Sequence, residues 1–283
     1  MFSIITPSYN SFNHIKKCIG SVKIQKEIAR EHLIIDGMST DKTIDYFHNY
    51  KKILNDDSLY KLLFESRSDN GMYDAINNGW SMSSGEILSW LNCDEQYLPN
   101  TLSHVYDIFK KNPSVNVVYG NAIIVDKNGD LISARPELPL NKFLISNTFL
   151  NIFSCTIFYR RSLWDSGLLY LNKDYRYSSD MDLIIRLLEN NVKMYYSKRY
   201  FSLFTVDGSN LSTHTRAAYE TDMIQNQFSY LSKRARKSVK YLRYFLRAIK
   251  GHYIKKNITY KYAIDDIPNY LSKKGLSNGK FKF

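Results

Sequence analysis

The first 120 residues alternate short apolar runs with stretches whose apolar residues recur at helical spacing, and this alternation constrains the fold more than any other feature. The runs are Phe2–Thr6, His32–Asp36, Tyr60–Glu65, Ile87–Leu91 and Asn116–Tyr119. Between them, Ile15, Cys18, Ile19 and Val22 share one helical face, as do Ile44, Phe47 and Tyr50. Strand–helix alternation of this kind predicts an α/β chain whose mainly parallel sheet is flanked by helices. Each run ends in polar residues, where the crevice of a doubly wound sheet takes its ligands.

Further along, Ala122–Val125 predicts a strand, followed by an Asn128-Gly129 hairpin turn. A helix is expected over Asp180–Asn190, with Leu183, Ile184, Leu187 and Leu188 on one face. From Lys233 to Lys256 a second helix would line up Leu242, Phe245, Leu246, Ile249 and Tyr253, with Lys240, Arg243, Arg247 and Lys250 beside them. The net charge of +12 belongs to this tail: residues 231–283 hold fifteen Lys/Arg against two Asp, whereas residues 1–230 hold 24 basic and 25 acidic side chains. A neutral body argues against nucleic acid as the partner. A basic amphipathic tail points to an anionic membrane surface, or to a helix packing its apolar side on the body.

The opening Met1–Pro7 has no basic segment leading into a long apolar one, and no run of about 18 apolar residues occurs. The expectation is a chain neither exported nor membrane-spanning. Cys18, Cys93 and Cys155 are odd in number and far apart, which suggests no disulfide framework and fits a reducing cytoplasm. No Walker loop, G-x-G-x-x-G or G-x-S-x-G is present, so the commonest kinase-like, dinucleotide-binding and hydrolase readings fall away.

Three polar clusters stand at the ends of predicted strands. Ile34-Ile35-Asp36-Gly37-Met38-Ser39-Thr40-Asp41 delivers a carboxylate and a glycine to a turn, where Asp36 can accept from a base N–H or Ser39 and Asp41 can cap a helix. The segment Ser68–Gly79 gathers Asp69, Asn70, Asp74, Asn77 and Asn78 at the start of a helix, against helix propensity. Asn92-Cys93-Asp94-Glu95 sets two acids side by side, which suits an oxygen-ligated Mg²⁺ or Mn²⁺ or a solvated turn.

Taken in order with Thr6-Pro7-Ser8-Tyr9-Asn10, and with Ser21-Val22 and Gln25, these clusters resemble family 2 glycosyltransferases of the GT-A fold, particularly those of bacterial capsule, O-antigen and colanic-acid-type pathways. The resemblance is strong over 1–100 and weaker over 101–215. It implies a glycosyltransferase domain at 1–215, with a nucleotide-sugar-binding half (1–100) and an acceptor half (101–215), followed by a basic helical extension at 216–283. Pro7, Tyr9 and Asp36 would hold the nucleotide, with Asp41 and Asp69 in support. Asp94 would contact the ribose or the metal, and Glu95, where the family usually has Asp, would ligate Mn²⁺ or Mg²⁺.

Ser178-Ser179-Asp180-Met181-Asp182 resembles the family's acidic segment, which makes Asp180 the base for an inverting transfer, with Asp182 as its substitute and Arg186 structural. The implied donor is a nucleotide-sugar, with UDP as the nucleotide. The implied acceptor is a glycan or lipid-linked oligosaccharide at the inner face of the cell membrane. Related sequences carry His-Gln-Ala or similar where Ser154-Cys155-Thr156 stand, so acceptor chemistry is expected to differ there. That departure and Glu95 leave open a non-catalytic nucleotide-sugar-binding subunit. The Asp207–Ser212 stretch resembles a loop that covers the donor.

Overall fold

The computed structural model describes residues 1–25, 27–50, 58–134, 136–206, 208, 215–267 and 269–279. The first four strands are β1 (Phe2–Ser8), β2 (Arg30–Asp36), β3 (Tyr60–Ser66) and β4 (Ile87–Trp90), linked through α1 (Ile15–Lys23), α2 (Thr43–Tyr50) and α3 (Met72–Met82). All four run parallel, in the order β3-β2-β1-β4. Every residue of β2 and β4 is buried, as befits strands covered on both faces by helices. The chain moves outward from β1 to β3 and then returns to place β4 on the other side of β1. A crevice therefore opens beyond the C-terminal ends of β1 and β4, the switch point of the sheet.

The sheet continues with β5 (Gln96–Tyr97), β6 (Val117–Asp126), β7 (Leu131–Ala134), β8 (Ile157–Arg160) and β9 (Met194–Val206). Its order is β3-β2-β1-β4-β8-β6-β9-β5, with β7 paired to β6. The two strands expected over 116–119 and 122–125 are one strand, β6, kept continuous across a register shift at Tyr119–Asn121. Its turn to β7 is the expected hairpin, with Gly129 at φ 75°. Helix α4 (Thr101–Lys111) and the short α5 (Lys142–Asn147) and α6 (Ser162–Asp165) cover the sheet. Helix α7 (Ser179–Glu189) buries Leu183, Ile184 and Leu187 as its spacing predicts.

The tail departs from expectation in two ways. Helices α8 (Thr215–Phe228) and α9 (Lys233–Ile249) are followed by an antiparallel hairpin, β10 (Asn257–Ala263) and β11 (Tyr270–Leu276), so the extension is not all helical. The helix expected through Lys256 ends at Ile249, because Gly251 takes φ 66° and breaks it. The hairpin region is built into the body: Tyr46 donates to Asp266 Oδ2 at 2.6 Å, and Ala263 N donates to Gln96 Oε1 at 2.8 Å. A Cβ on Gly20 would lie 1.9 Å from the Asp265 carbonyl, so only glycine lets α1 come this close.

The second departure is the orientation of α9. Arg236, Val239, Arg243 and Arg247 face the body, while Tyr241, Leu242, Phe245 and Ile249 are exposed. Arg243 donates to Phe149 O at 2.6 Å and stacks on the Phe149 ring, and Arg247 pairs with Glu137 at 2.9 Å. Among the described residues no helix is long and apolar enough to cross a membrane.

Candidate active site

At the donor end the strand tips converge through Asp36. The parallel register sets Ser8 and Ser66 on either side of it. Asp36 is fully buried, and its carboxylate accepts from Ser8 Oγ (3.2 Å), Ser39 Oγ (2.5 Å), Ser39 N (2.9 Å) and Ser66 Oγ (2.8 Å). These four donors make Asp36 the lock that holds three strand ends together. Asn10 ties the same turn from the other side, accepting from Thr40 N at 2.8 Å. Asp41 is exposed and accepts from Phe12 N and Thr43 N. Around this frame Tyr9 is 65% exposed, Met38 is exposed, and Pro7 is half-buried, presenting surface to the crevice. Asp69 lies against Gly37, where a Cβ would sit 2.9 Å from its Oδ2.

The acidic loop follows β4. Asp94 is half-buried, and its carbonyl accepts from Thr205 at 2.6 Å. Glu95 lies differently from the expected cation ligand: its side chain is 1% exposed and folds back so that Oε2 accepts from Asn92 N at 2.7 Å. The extra methylene relative to Asp gives it that reach. Burial and the Asp94 charge push its carboxyl up to about 8, with the Cys155 thiol beside it. Cys155 of the Ser154–Thr156 departure is thus buried beside the acidic loop. Asn92 Oδ1 and Glu95 Oε1 are buried with no hydrogen-bond partner among the described residues. Asp94 and Asn92 offer the oxygen chemistry that suits Mg²⁺ or Mn²⁺, with Glu95 folded back onto Asn92 N.

The Ser21–Gln25 motif explains how this loop is aimed. Ser21 Oγ accepts from Tyr97 N at 3.1 Å, while Gln25 donates to Leu98 O and accepts from Leu102 N. Helix α1 therefore grips the chain just past the acids.

The Asp69–Gly79 cluster joins the donor half to the acceptor half. Gly71, at φ 110°, allows the turn into α3, and its N–H donates to Asp69 Oδ1 at 2.8 Å. Asp74 pairs with Lys173 at 3.3 Å, and Asn77 exchanges two hydrogen bonds with the Leu171 backbone at 2.7 and 2.9 Å. The asparagine that opposes helix propensity is used here to hold a distant loop. Tyr73 is buried against Asp180, at the start of α7.

Burial raises Asp180 to about 6; its own helix amide at Met181 (2.8 Å) and the Tyr73 hydroxyl favour the charged form, and Glu220 opposes it. Asp182 is engaged instead by Arg186 at 2.8 Å, and Arg186 also donates to Leu168 O and Tyr170 O and stacks on the Tyr170 ring. Arg186 is therefore structural, and Asp182 is its counter-charge. Two groups escaped the sequence reading: Tyr73, whose motif position was visible, and Glu220, which no local pattern marks. The 207–212 loop lies outside the described residues except for Gly208. A groove of about 410 Å³ over α4 and β9, lined by His104, Asp107, Lys111 and Arg199 among others, shares no residue with this cleft.

A largely parallel sheet with its crevice at the switch point and an acidic loop following β4 is the architecture of the GT-A fold. The comparisons agree. The family model "Glycosyl transferase family 2" matches residues 3–167, more than half of the chain, which therefore belongs to that family. A PGL/p-HBAD biosynthesis glycosyltransferase of Mycobacterium tuberculosis is 31% identical over 191 residues, covering 67% of this chain and 70% of its own. An uncharacterized glycosyltransferase of Rickettsia typhi is 26% identical over 66% of this chain and 58% of its own. S. aureus TarS, solved in complex with UDP-GlcNAc, superposes with a TM-score of 0.62 at 21% identity, covering 87% of this chain and 74% of that one. A mannosyltransferase from Pyrobaculum calidifontis, in complex with GDP-Man and Mn²⁺, does so at 0.58 and 14%, covering 88% and 75%.

Proposed function

We propose that the chain is an inverting glycosyltransferase that moves a sugar from a UDP-sugar to a hydroxyl of a glycan or lipid-linked oligosaccharide in bacterial surface polysaccharide synthesis. The observation that carries this reading is a run of neighbours along the chain from Asp36 and Gly37 to Asp69, Gly71 and Tyr73, and from Tyr73 to Asp180, which links the proposed nucleotide frame to the proposed base. The UDP and UDP-GlcNAc complexes of TarS support the choice of nucleotide.

Pro7 and Tyr9 bind and orient the nucleoside, and Asp36, buried beneath them, holds the strand ends that carry the pocket, with Asp41 and Asp69 bracing its turns. Asp94, with Asn92 Oδ1 behind it, would hold Mn²⁺ or Mg²⁺, and Glu95 braces the loop from inside. Such a cation, when bound, neutralises the departing diphosphate. Asp180 accepts the proton of the acceptor hydroxyl as that oxygen attacks the anomeric carbon. The bond from that carbon to the diphosphate breaks, its electron pair leaves with the nucleoside diphosphate, and the configuration inverts. A screen of nucleotide-sugars for thermal stabilisation and hydrolysis, with and without Mn²⁺, tests the reading. Stabilisation by UDP-sugars with Mn²⁺ is the expected result. A chain that binds UDP-sugars yet releases no UDP with any glycan or lipid-linked acceptor would instead be a binding subunit.

We propose that α9 brings the chain to the inner membrane face. Arg236, Arg243 and Arg247 face the body, while Tyr241, Leu242, Phe245 and Ile249 face outward, with Arg234, Lys237, Lys240 and Lys250 also exposed. Apolar side chains of this kind insert at the headgroup boundary, while each lysine adds about 1 kcal/mol towards anionic lipid. The double variant Phe245→Glu, Ile249→Glu should lose about tenfold or more in binding to phosphatidylglycerol-containing vesicles with an unchanged Tm. Co-sedimentation of variant and wild type to equal extents would remove the membrane from this reading.

A further inference from the structure

A carboxylate that the reaction does not use is built into the support of Asp180. Glu220, on α8, is buried, and its two oxygens accept from three consecutive backbone amides: Arg176 N (2.8 Å), Tyr177 N (2.7 Å) and Ser178 N (3.0 Å). These residues lead directly into α7, whose second residue is Asp180. Ser178 occupies the position from which a side chain usually caps a helix, but its hydroxyl makes no such bond and lies instead against Ala217 O and Thr221 Oγ1, both on α8. Tyr175 OH, one residue earlier, donates to Gln227, also on α8. The entire approach to α7 is therefore shaped by a separate helix, with Glu220 at the centre. A carboxylate satisfied by three converging amides is strongly held in place.

We infer that Glu220 is the positioning residue of the acceptor side: it fixes the backbone that aims Asp180 and sets a second negative charge beside the base. This inference rests on the reading of Asp180 as the base and names what tunes it. Three elements besides α7 bring groups to Asp180: Tyr73 from α3, Tyr159 from β8 and Glu220 from α8. On α7 itself, Asp182 is neutralised by Arg186. Tyr73 favours the charged form through its hydroxyl, and Glu220 disfavours it through its charge. The two act in opposite directions on a buried carboxyl. A base is most effective when its proton affinity lies near working pH, so the opposing neighbour serves the chemistry although it adds nothing to the contact with substrate.

The test is a pH titration of the full chain with ¹³C-labelled aspartate carboxyls, the Asp180 signal being assigned by its loss in Asp180→Asn. In the wild type that signal should titrate near pH 6. In Glu220→Gln, which keeps the side-chain shape but not the charge, the midpoint should move to lower pH. Glu220→Asp, which restores the charge, should return it towards the wild-type value. A folded Glu220→Gln protein with an unmoved Asp180 midpoint overturns the inference and leaves Glu220 as an ordinary helix clamp. Should Glu220→Gln fail to fold, the smaller uncharged Glu220→Thr is titrated by the same signal: a lowered midpoint supports the charge coupling and an unmoved one overturns it. The base assignment fails by a different observation. Turnover retained in Asp180→Asn would remove it whether or not the midpoint depends on Glu220.

Discussion

Asp36 and Asp180 stand at opposite ends of one run of neighbours and are held in opposite ways. Asp36 accepts four hydrogen bonds, all from Ser8, Ser39 and Ser66, none more than 30 residues away in sequence. Asp180 has two amides of its own helix, those of Met181 and Asp180 itself, and the Tyr73 hydroxyl, and it lies among groups brought in by α3, β8 and α8. The first arrangement ties three strand ends into the frame of a pocket. The second leaves a carboxyl raised to about 6, able to exchange its proton. Both carboxyls are buried, so burial alone does not decide what a carboxylate is for.

That contrast can be broken at its strong points first. Replacing the base, Asp180→Asn, should lower sugar transfer by roughly 10²–10⁴-fold while UDP binding with Mn²⁺ is retained. The wild type should lose activity as pH falls through about 6, because the base must be charged to take a proton and Asp180 is protonated below that point. The variant should show no such limb. UDP release across pH measures both, and an identical limb in the variant would assign it to another group.

Asp36→Ala should act on stability instead, since it strands the Ser39 amide and three serine hydroxyls at the junction of β1, β2 and β3. A loss of about 2–4 kcal/mol is expected by urea unfolding, with UDP affinity falling alongside. Unchanged stability would mean that the serine cage closes on itself without the carboxylate. The smallest effect should come from Asp41→Ala. That carboxylate is exposed and only caps the turn before α2 through Phe12 N and Thr43 N, so about 0.5–1 kcal/mol is expected, with UDP affinity changed less than in Asp36→Ala.

The same contrast separates what the sequence discloses from what it hides. The donor half was legible because its cues are local: period-two and helical spacing fixed β1 to β4 within two residues, and Asp36, Asp69 and Asp94 stand in short motifs at strand ends. Glu95 was legible as a residue of the acidic loop but not in its orientation, which depends on the reach of one methylene and on Cys155, sixty positions away. Glu220 left no mark, because the amides it binds carry no sequence signature. Helix α9 left two readings open, since an amphipathic pattern says which faces differ and not which one turns inward, and the packing of its apolar side on the body is the one that fails. The body offers it Glu137, the Phe149 carbonyl and the Phe149 ring, so the guanidinium face wins. The hairpin β10–β11 was readable in the alternation Ile258, Tyr260, Tyr262, but the surrounding charge drew attention to helix.

The bond from Tyr46 to Asp266 spans 220 residues. During synthesis at about 5–20 residues per second, the segment bearing Tyr46 emerges roughly 10–45 s before its partner exists. Through that interval the surface of α1 and α2 that the hairpin region later covers is bare. The nascent donor half must then wait in a state open to chaperones and proteases, and its final closure is timed by the arrival of the last strands rather than by its own folding rate.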